Sequence, residues 1–148
     1  MALILICVVG VVVLVVGLVR MKQLRDRREA AEFSIDAEEL RSLLTEAKVR
    51  VFDVRQPLDL LAHSEIIPGA TRISPSEVLE NVGLIPKESD VVIYCTCPSE
   101  KTSRSILHKA RELQFSRVKF LRGGLDGWKA KGYPVEPYLT PFHLDTAK

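Results

Sequence analysis

Apolar residues are spread unevenly along the chain, and their pattern divides it into two parts. The first part, Ala2 to Val19, is an uninterrupted apolar run of 18 residues with no charged side chain. At about 1.5 Å per residue, such a run forms a helix of roughly 27 Å, close to the roughly 30 Å hydrocarbon core of a bilayer. A single segment satisfies its backbone hydrogen bonds in lipid only as a helix. The pattern therefore predicts a transmembrane helix over residues 2–19.

A basic cluster follows this run directly. It has a net charge of +4, from one acidic residue, Asp26, and five basic ones: Arg20, Lys22, Arg25, Arg27 and Arg28. A cleavable signal peptide carries its basic residues before the apolar core, so we favour an anchor over a signal peptide or a buried core helix. Basic residues beside a span stay in the cytoplasm. We therefore expect a single-pass protein of the cell membrane with its N-terminus outside, a brief helical continuation and then a basic juxtamembrane linker over residues 20–33.

Short apolar runs alternate with amphipathic segments in the second part of the chain. Capping residues predict helices that begin at Asp36 and at Ser74-Pro75. Apolar periodicity predicts two more helices, at about Ser99–Leu113 and at Leu125–Ala130. Strands are predicted at Val49–Val54, Thr71–Ile73, Asp90–Tyr94 and Val118–Leu121. This alternation is typical of an α/β domain whose mainly parallel sheet is covered on both faces.

The charge and the number of cysteines limit which functions are to be expected. The whole chain has a formal charge of +2, so residues 29–148 sum to −2 once the basic cluster is set aside. This balance gives no reason to expect nucleic-acid binding. Three cysteines are too few for a disulfide framework. They indicate either a reducing compartment or a cysteine that takes part in a reaction. A Cys-x-Cys pair without companion His or Cys ligands is not a zinc site, so we expect neither a metal nor a cofactor.

Cys95 is the strongest candidate for chemistry. It ends a predicted buried strand just before a helix, and in open parallel sheets ligands bind beyond the carboxyl ends of the strands. Loop amides, the positive end of the helix dipole and Lys101 would all favour a thiolate at this position. Cys97 follows two residues later. The pattern indicates a nucleophilic cysteine.

Four motifs resemble those of rhodanese domains, in the same order and at the same spacing. They are Val51-Phe52-Asp53-Val54-Arg55 with Ile67-Pro68-Gly69-Ala70, Tyr94-Cys95, Arg122-Gly123-Gly124-Leu125-Asp126-Gly127-Trp128, and Gly132-Tyr133-Pro134-Val135. The resemblance implies one rhodanese-like domain over residues 34–137 with a mainly parallel five-stranded sheet, followed by a loose tail over residues 138–148. It implies that Cys95 is catalytic and that Asp53 and Arg55 are structural supports.

The loop after Cys95 differs from the usual family pattern Cys-x-x-Gly-x-Arg. It has no glycine, and its first arginine comes nine residues after the cysteine. It is similar to a Cys-x-Cys-Pro-x-Glu variant of rhodanese domains attached to membrane proteins. The resemblance assigns substrate binding to the loop residues Thr96, Cys97, Ser99, Glu100, Lys101, Thr102 and Arg104. A preference for thiosulfate does not follow from such a loop.

The leading hypothesis is a membrane-anchored sulfurtransferase or sulfur carrier. Cys95 would take a sulfane sulfur from a small donor, hold it as a persulfide and pass it to a thiol or another nucleophile. One alternative is a redox switch in which Cys97 resolves an oxidised Cys95. Another is a non-catalytic, membrane-tethered binding module. Phosphatase activity is disfavoured because position 101 is lysine where the phosphatase cradle needs arginine.

Overall fold

The computed structural model describes residues 1–96 and 100–140 and contains two compact units, Met1–Phe33 and Ser34–Lys148. The first unit is one helix, α1, Ala2–Phe33. We expected the helix to give way to a linker soon after residue 20, and this was wrong: it continues through the basic cluster. Arg, Glu, Ala and Lys are good helix formers, and they fill this segment.

Within the described residues, α1 is long and apolar enough to cross a membrane by length and composition; an 18-residue window within Cys7–Phe33 has a mean hydropathy of 2.0. Its large apolar side chains from Val8 to Val19 are between 47% and 66% exposed. These apolar side chains of the helix are therefore exposed.

The second unit is built on a five-stranded, entirely parallel sheet, which confirms the predicted fold class. Its strands run in the spatial order β1-β6-β5-β2-β4. Their bounds are β1 Ser34–Ile35, β2 Arg50–Asp53, β4 Thr71–Arg72, β5 Val91–Tyr94 and β6 Val118–Leu121. A separate antiparallel pair joins β3, Glu65–Ile66, to β7, Glu136–Pro137. Tyr138 extends this pair by donating its backbone N–H to the Ser64 carbonyl at 2.7 Å; residues 141–148 of the predicted tail lie outside the described residues.

Helices cover both faces of the sheet. They are α2 Ala37–Thr45, α3 Pro57–Ala62, α4 Pro75–Glu80, α5 Lys101–Glu112 and α6 Gly124–Ala130, with a 3-10 turn at Val82–Leu84. Asp36 caps α2 by accepting from the Glu39 amide at 2.9 Å, and Ser74 forms a reciprocal capping box with Glu77 at the start of α4. Both predicted starts are confirmed. The helix α5, predicted to begin at about Ser99, begins at Lys101 in the structure, after Glu100, which is left-handed at φ 54°; Ser99 itself lies outside the described residues.

Alternation along the strands sorts the core into two layers. Val92 and Tyr94 of β5 pack with residues of α2 and α6, including Leu40 and Trp128. Successive strand side chains point to opposite faces, so Ile93 lies on the other face, which α5 covers. The β5–β6 register supports this division. Ile93 aligns with Phe120, and the Arg104 guanidinium of α5 lies 5.8 Å from the Phe120 ring centre.

Candidate active site

Cys95 directly follows β5, the central strand of the sheet, at the carboxyl edge where parallel sheets bind ligands. Its side chain is 3% exposed and not in a disulfide. The extended backbone is continuous up to this residue, because the Tyr94 carbonyl still accepts the Val54 N–H at 2.9 Å. Carried one residue further, the alternation of β5 puts Cys95 on the same face as Ile93, beneath α5.

Helix α5 begins at Lys101, six residues after Cys95, and its N-terminus is a polar element near the carboxyl edge of the sheet. Glu100 makes no side-chain cap to the helix, and the first backbone N–H groups of a helix have no partners within the helix. Together with the helix dipole, these donors favour an anion at this end. A thiolate or a persulfide is such an anion.

The turn between β6 and α6 packs directly on the backbone of Cys95. Its two glycines are left-handed, Gly123 at φ 75° and Gly124 at φ 53°. A Cβ on Gly124 would stand 1.9 Å from the Cys95 carbonyl oxygen, so the close approach requires glycine. The Leu125 amide donates to the same carbonyl at 3.3 Å. Sequence reasoning missed the contact with Cys95, because it joins two loops distant in sequence.

Glu100 connects the cysteine loop to this turn. One carboxylate oxygen, Oε1, accepts the Gly123 backbone N–H at 2.5 Å. The two loops that flank Cys95 are therefore joined by a charge-assisted hydrogen bond. The resemblance assigned Glu100 to substrate binding; in the structure its carboxylate contacts protein backbone.

The other loop residues predicted to bind substrate are placed differently from one another. Thr96 and Thr102 are half-buried, and Lys101 is exposed. Arg104 is half-buried, on the sheet-facing side of α5 against Phe120. Cys97 and Ser99 lie outside the described residues. The structure thus brings Arg104 to the cysteine's face of the sheet and leaves Lys101 at the surface.

Asp53 and Arg55 form a fully buried ion pair at the end of β2, the strand next to β5. Both side chains are 0% exposed. The Arg55 Nη2 donates to Asp53 Oδ2 at 2.6 Å, and Nε donates to both carboxylate oxygens at 2.9 and 3.0 Å. The same guanidinium donates to the carbonyls of His63 and Glu65 at 2.7 and 2.8 Å. The pair therefore holds the segment between α3 and β3.

Tyr94 stabilises the segment that follows. Its buried hydroxyl accepts the Ile67 backbone N–H at 3.2 Å. Burial, with a further contribution from the Asp53 charge, raises the pKa of the hydroxyl far above its usual range. Tyr94 is thus a neutral structural group at any working pH.

These features define a class: an α/β domain with a buried cysteine at the carboxyl end of its central parallel strand, in the segment that leads to helix α5. The chain belongs to the rhodanese-like family, because the Rhodanese-like domain model matches residues 36–131. A sulfurtransferase from Allochromatium vinosum is 33% identical over 104 residues, covering 68% of this chain and 92% of that protein. Family membership and this relative together support sulfur transfer as the general class of chemistry.

Solved structures show the same fold. A full-length protein from Lactobacillus plantarum superposes with a TM-score of 0.67 at 22% identity, covering 80% of this chain and 98% of that one. A thiosulfate sulfurtransferase from Pseudomonas aeruginosa gives a TM-score of 0.58 at 24% identity, covering 72% of this chain and 19% of that one. At these identities the likeness concerns the fold.

Proposed function

We propose that this protein is a membrane-anchored sulfurtransferase or sulfur carrier with Cys95 as its nucleophile. The Cys95 thiolate attacks the sulfane sulfur of a small donor. A Cys95–sulfur bond forms, and the bond from that sulfur to the rest of the donor breaks, its electron pair leaving with the donor residue. An acceptor thiolate then attacks the outer sulfur of the persulfide, and Cys95 leaves as a thiolate.

One observation carries this proposal: the buried Cys95 lies at the carboxyl end of β5, on the sheet face covered by α5. The helix N-terminus offers backbone donors that stabilise a negative sulfur before and after the transfer. The Gly124 contact and the Glu100–Gly123 hydrogen bond hold the loops on either side in place. A preorganised site of this kind stabilises developing charge without reorganisation.

The cellular location of the protein is inferred from helix α1. We infer that the apolar part of this helix anchors the protein in the cell membrane and that the basic cluster keeps the rhodanese-like unit in the cytoplasm. A reducing cytoplasm would keep the Cys95 thiol reduced. Donor and acceptor would then be small cytoplasmic sulfur compounds, with a thiol as the acceptor.

The test is the intact mass of the purified full-length chain after incubation with thiosulfate or with inorganic polysulfide. We expect a gain of one sulfur atom that is lost on addition of a thiol. The Cys7→Ser variant controls for the exposed cysteine of α1 and should still gain the sulfur, whereas Cys95→Ser should not. If Cys95→Ser gains sulfur as readily as the native chain, the nucleophile is wrongly assigned. If no variant gains sulfur from either donor, the chain is a binding module or a redox switch.

A further inference from the structure

Ser103 is a buried hydroxyl that the reaction as described above does not use. It is the third residue of α5 and is 1% exposed. Its Oγ is enclosed by protein and has no hydrogen-bond partner among the described residues. Serine near a helix start usually bonds a nearby backbone group, as Ser105 does by donating to the Lys101 carbonyl at 3.0 Å. Since a buried polar group without a partner is costly, Ser103 calls for an explanation.

The position of Ser103 within α5 shows which way it faces. It begins the buried stripe of the helix, which continues with Ile106, Leu107 and Ala110. Residues three, four and seven positions apart share one helix face, so Ser103 lies on the side turned toward the sheet. It is also in the first turn of α5, at the carboxyl edge of the sheet.

Cys95 lies at the same edge and on the same face. Strand alternation puts its side chain on the α5 side of the sheet, as argued above from Ile93. Arg104, the residue after Ser103, contacts Phe120, which is aligned with Ile93 across β5 and β6. The first turn of α5 therefore covers the strand ends from which Cys95 emerges.

We propose that Ser103 is a catalytic residue whose hydroxyl donates a hydrogen bond to the outer sulfur of the Cys95 persulfide. This inference rests on the proposed function and assigns a group to the same site. The outer sulfur of a persulfide stands about 2.05 Å beyond Sγ, on the side of the sheet that Ser103 also faces. A hydroxyl hydrogen rotates to suit its acceptor, so Ser103 can turn its O–H toward that sulfur.

The role requires no proton transfer. The transferred sulfur forms its bond to Cys95 as the donor residue leaves with the electron pair of the broken bond. The negative charge then rests on the outer sulfur. Ser103 keeps its proton throughout and stabilises that charge together with the helix N–H groups. The partner missing for Ser103 in the unloaded protein is thus supplied by the transferred sulfur itself.

Ser103→Ala should change both the lifetime of the persulfide and the stability of the unloaded protein. The persulfide should still form, but its lifetime in buffer should fall roughly ten- to a hundredfold, the usual range for a hydrogen bond to a charged group. The unloaded variant should be at least as stable to urea as the native chain, because alanine removes an unpaired buried hydroxyl. Ser105→Ala is the matched control, since it changes an exposed serine two residues along the same helix; it should leave the lifetime unchanged.

The experiment follows persulfide lifetime by intact mass after loading the full-length chain with inorganic polysulfide, with urea unfolding of the unloaded proteins in parallel. An unchanged lifetime for Ser103→Ala overturns the inference and leaves the proposed function standing. A Ser103→Ala variant that unfolds more easily than the native chain, or fails to fold, also overturns it, because the hydroxyl would then be structural. If the native chain takes up no sulfur at all, the proposed function fails and this inference falls with it.

Discussion

Gly124 approaches Cys95 so closely that a single added methyl group would lie 1.9 Å from the cysteine's carbonyl oxygen. The two residues are 29 positions apart and belong to different loops. The atoms that would collide belong to backbone, so no side-chain rotation relieves the clash. The location of Cys95 thus depends on the absence of a side chain at Gly124.

Gly124→Ala should destabilise the protein and slow sulfur uptake by Cys95 at least tenfold, because the Cys95 backbone must shift. Gly132 is a matched control at the other end of α6. It is also left-handed, at φ 70°, but an added Cβ there meets nothing within 4 Å. Gly132→Ala should cost only about 1–2 kcal/mol for the left-handed backbone and leave uptake unchanged. Urea unfolding and intact mass measure the two effects, and equal behaviour of the variants would contradict the prediction.

Asp53→Asn should lower the free energy of unfolding by about 3–5 kcal/mol, because it leaves the fully buried Arg55 guanidinium without its countercharge. Asp126→Asn, the same change at an exposed carboxylate, should cost less than about 1 kcal/mol. Urea unfolding of both variants provides the measurement. A loss for Asp53→Asn as small as that for Asp126→Asn would mean that the buried pair contributes little to stability.

The ion pair between Asp90 and Arg117 predicts a pH dependence. Hydrogen bonds from Arg117, with Nε at 2.8 Å and Nη2 at 3.0 Å, lower the pKa of the Asp90 carboxyl below its usual value. A lowered folded-state pKa stabilises the protein above the unfolded-state pKa, near pH 4 for aspartate, and this contribution is lost as the pH falls through the folded-state value.

Asp90→Asn should therefore be slightly less stable than the native chain at neutral pH, and the difference should shrink as the pH falls below about 4 and disappear in strong acid. The effect should be much smaller than that of Asp53→Asn, because both side chains of the pair are about half exposed. Urea midpoints measured across the pH range test this. A difference that persists unchanged into acid would show that the asparagine disturbs packing and that the charge is not the cause.

The two cations of the first turn of α5 should differ in their effect on Cys95. We predicted that Lys101 is the nearer cation and Arg104 the weaker candidate, so Lys101→Ala should slow alkylation of Cys95 near neutral pH. The structure provides a reason to compare them directly, since Lys101 is exposed and Arg104 is half-buried on the cysteine's face of the sheet. The alkylation rates of the two alanine variants test this prediction. If only Arg104→Ala slows alkylation of Cys95, Lys101 is not the nearer cation.

Membrane topology is testable separately. A reporter fused after Lys148 should behave as cytoplasmic, because the basic cluster follows the apolar run. Replacing the five basic residues of positions 20–28 with glutamine, and adding lysines before Ala2, should reverse the orientation. Reporter activity on the far side of the membrane for the native chain, or a mature N-terminus near Ala31, would contradict the anchor.

The sequence predicted those elements whose apolar residues follow a regular period. Val118–Leu121 was predicted with the bounds that the structure shows for β6, and the Ser74-Pro75 start of α4 was predicted from its cap. The six-residue α3 was missed because it is too short to show a period, and two of its leucines, Leu58 and Leu61, are exposed. The two-residue strand β1 gives no pattern of its own and forms only because β6 pairs with it.

The candidate site was predictable only where the local sequence carries a signal. Cys95 was singled out because the end of an apolar strand is a property of local sequence. Ser103 was not, because a small polar residue in a helix start has no periodic signal, and its enclosure depends on how α5 packs on the sheet. The Glu100–Gly123 bond was also missed, since it joins residues 23 positions apart in two loops.

The parallel register of β5 and β6 has a consequence for how this protein tolerates insertions. Ile93 aligns with Phe120, and a slip of one residue would turn every side chain of a strand to the opposite face. Cys95 would then leave the α5 side, and Gly124 would no longer meet its carbonyl. An added residue within either strand would therefore disrupt the packing of the core and the placement of Cys95 together.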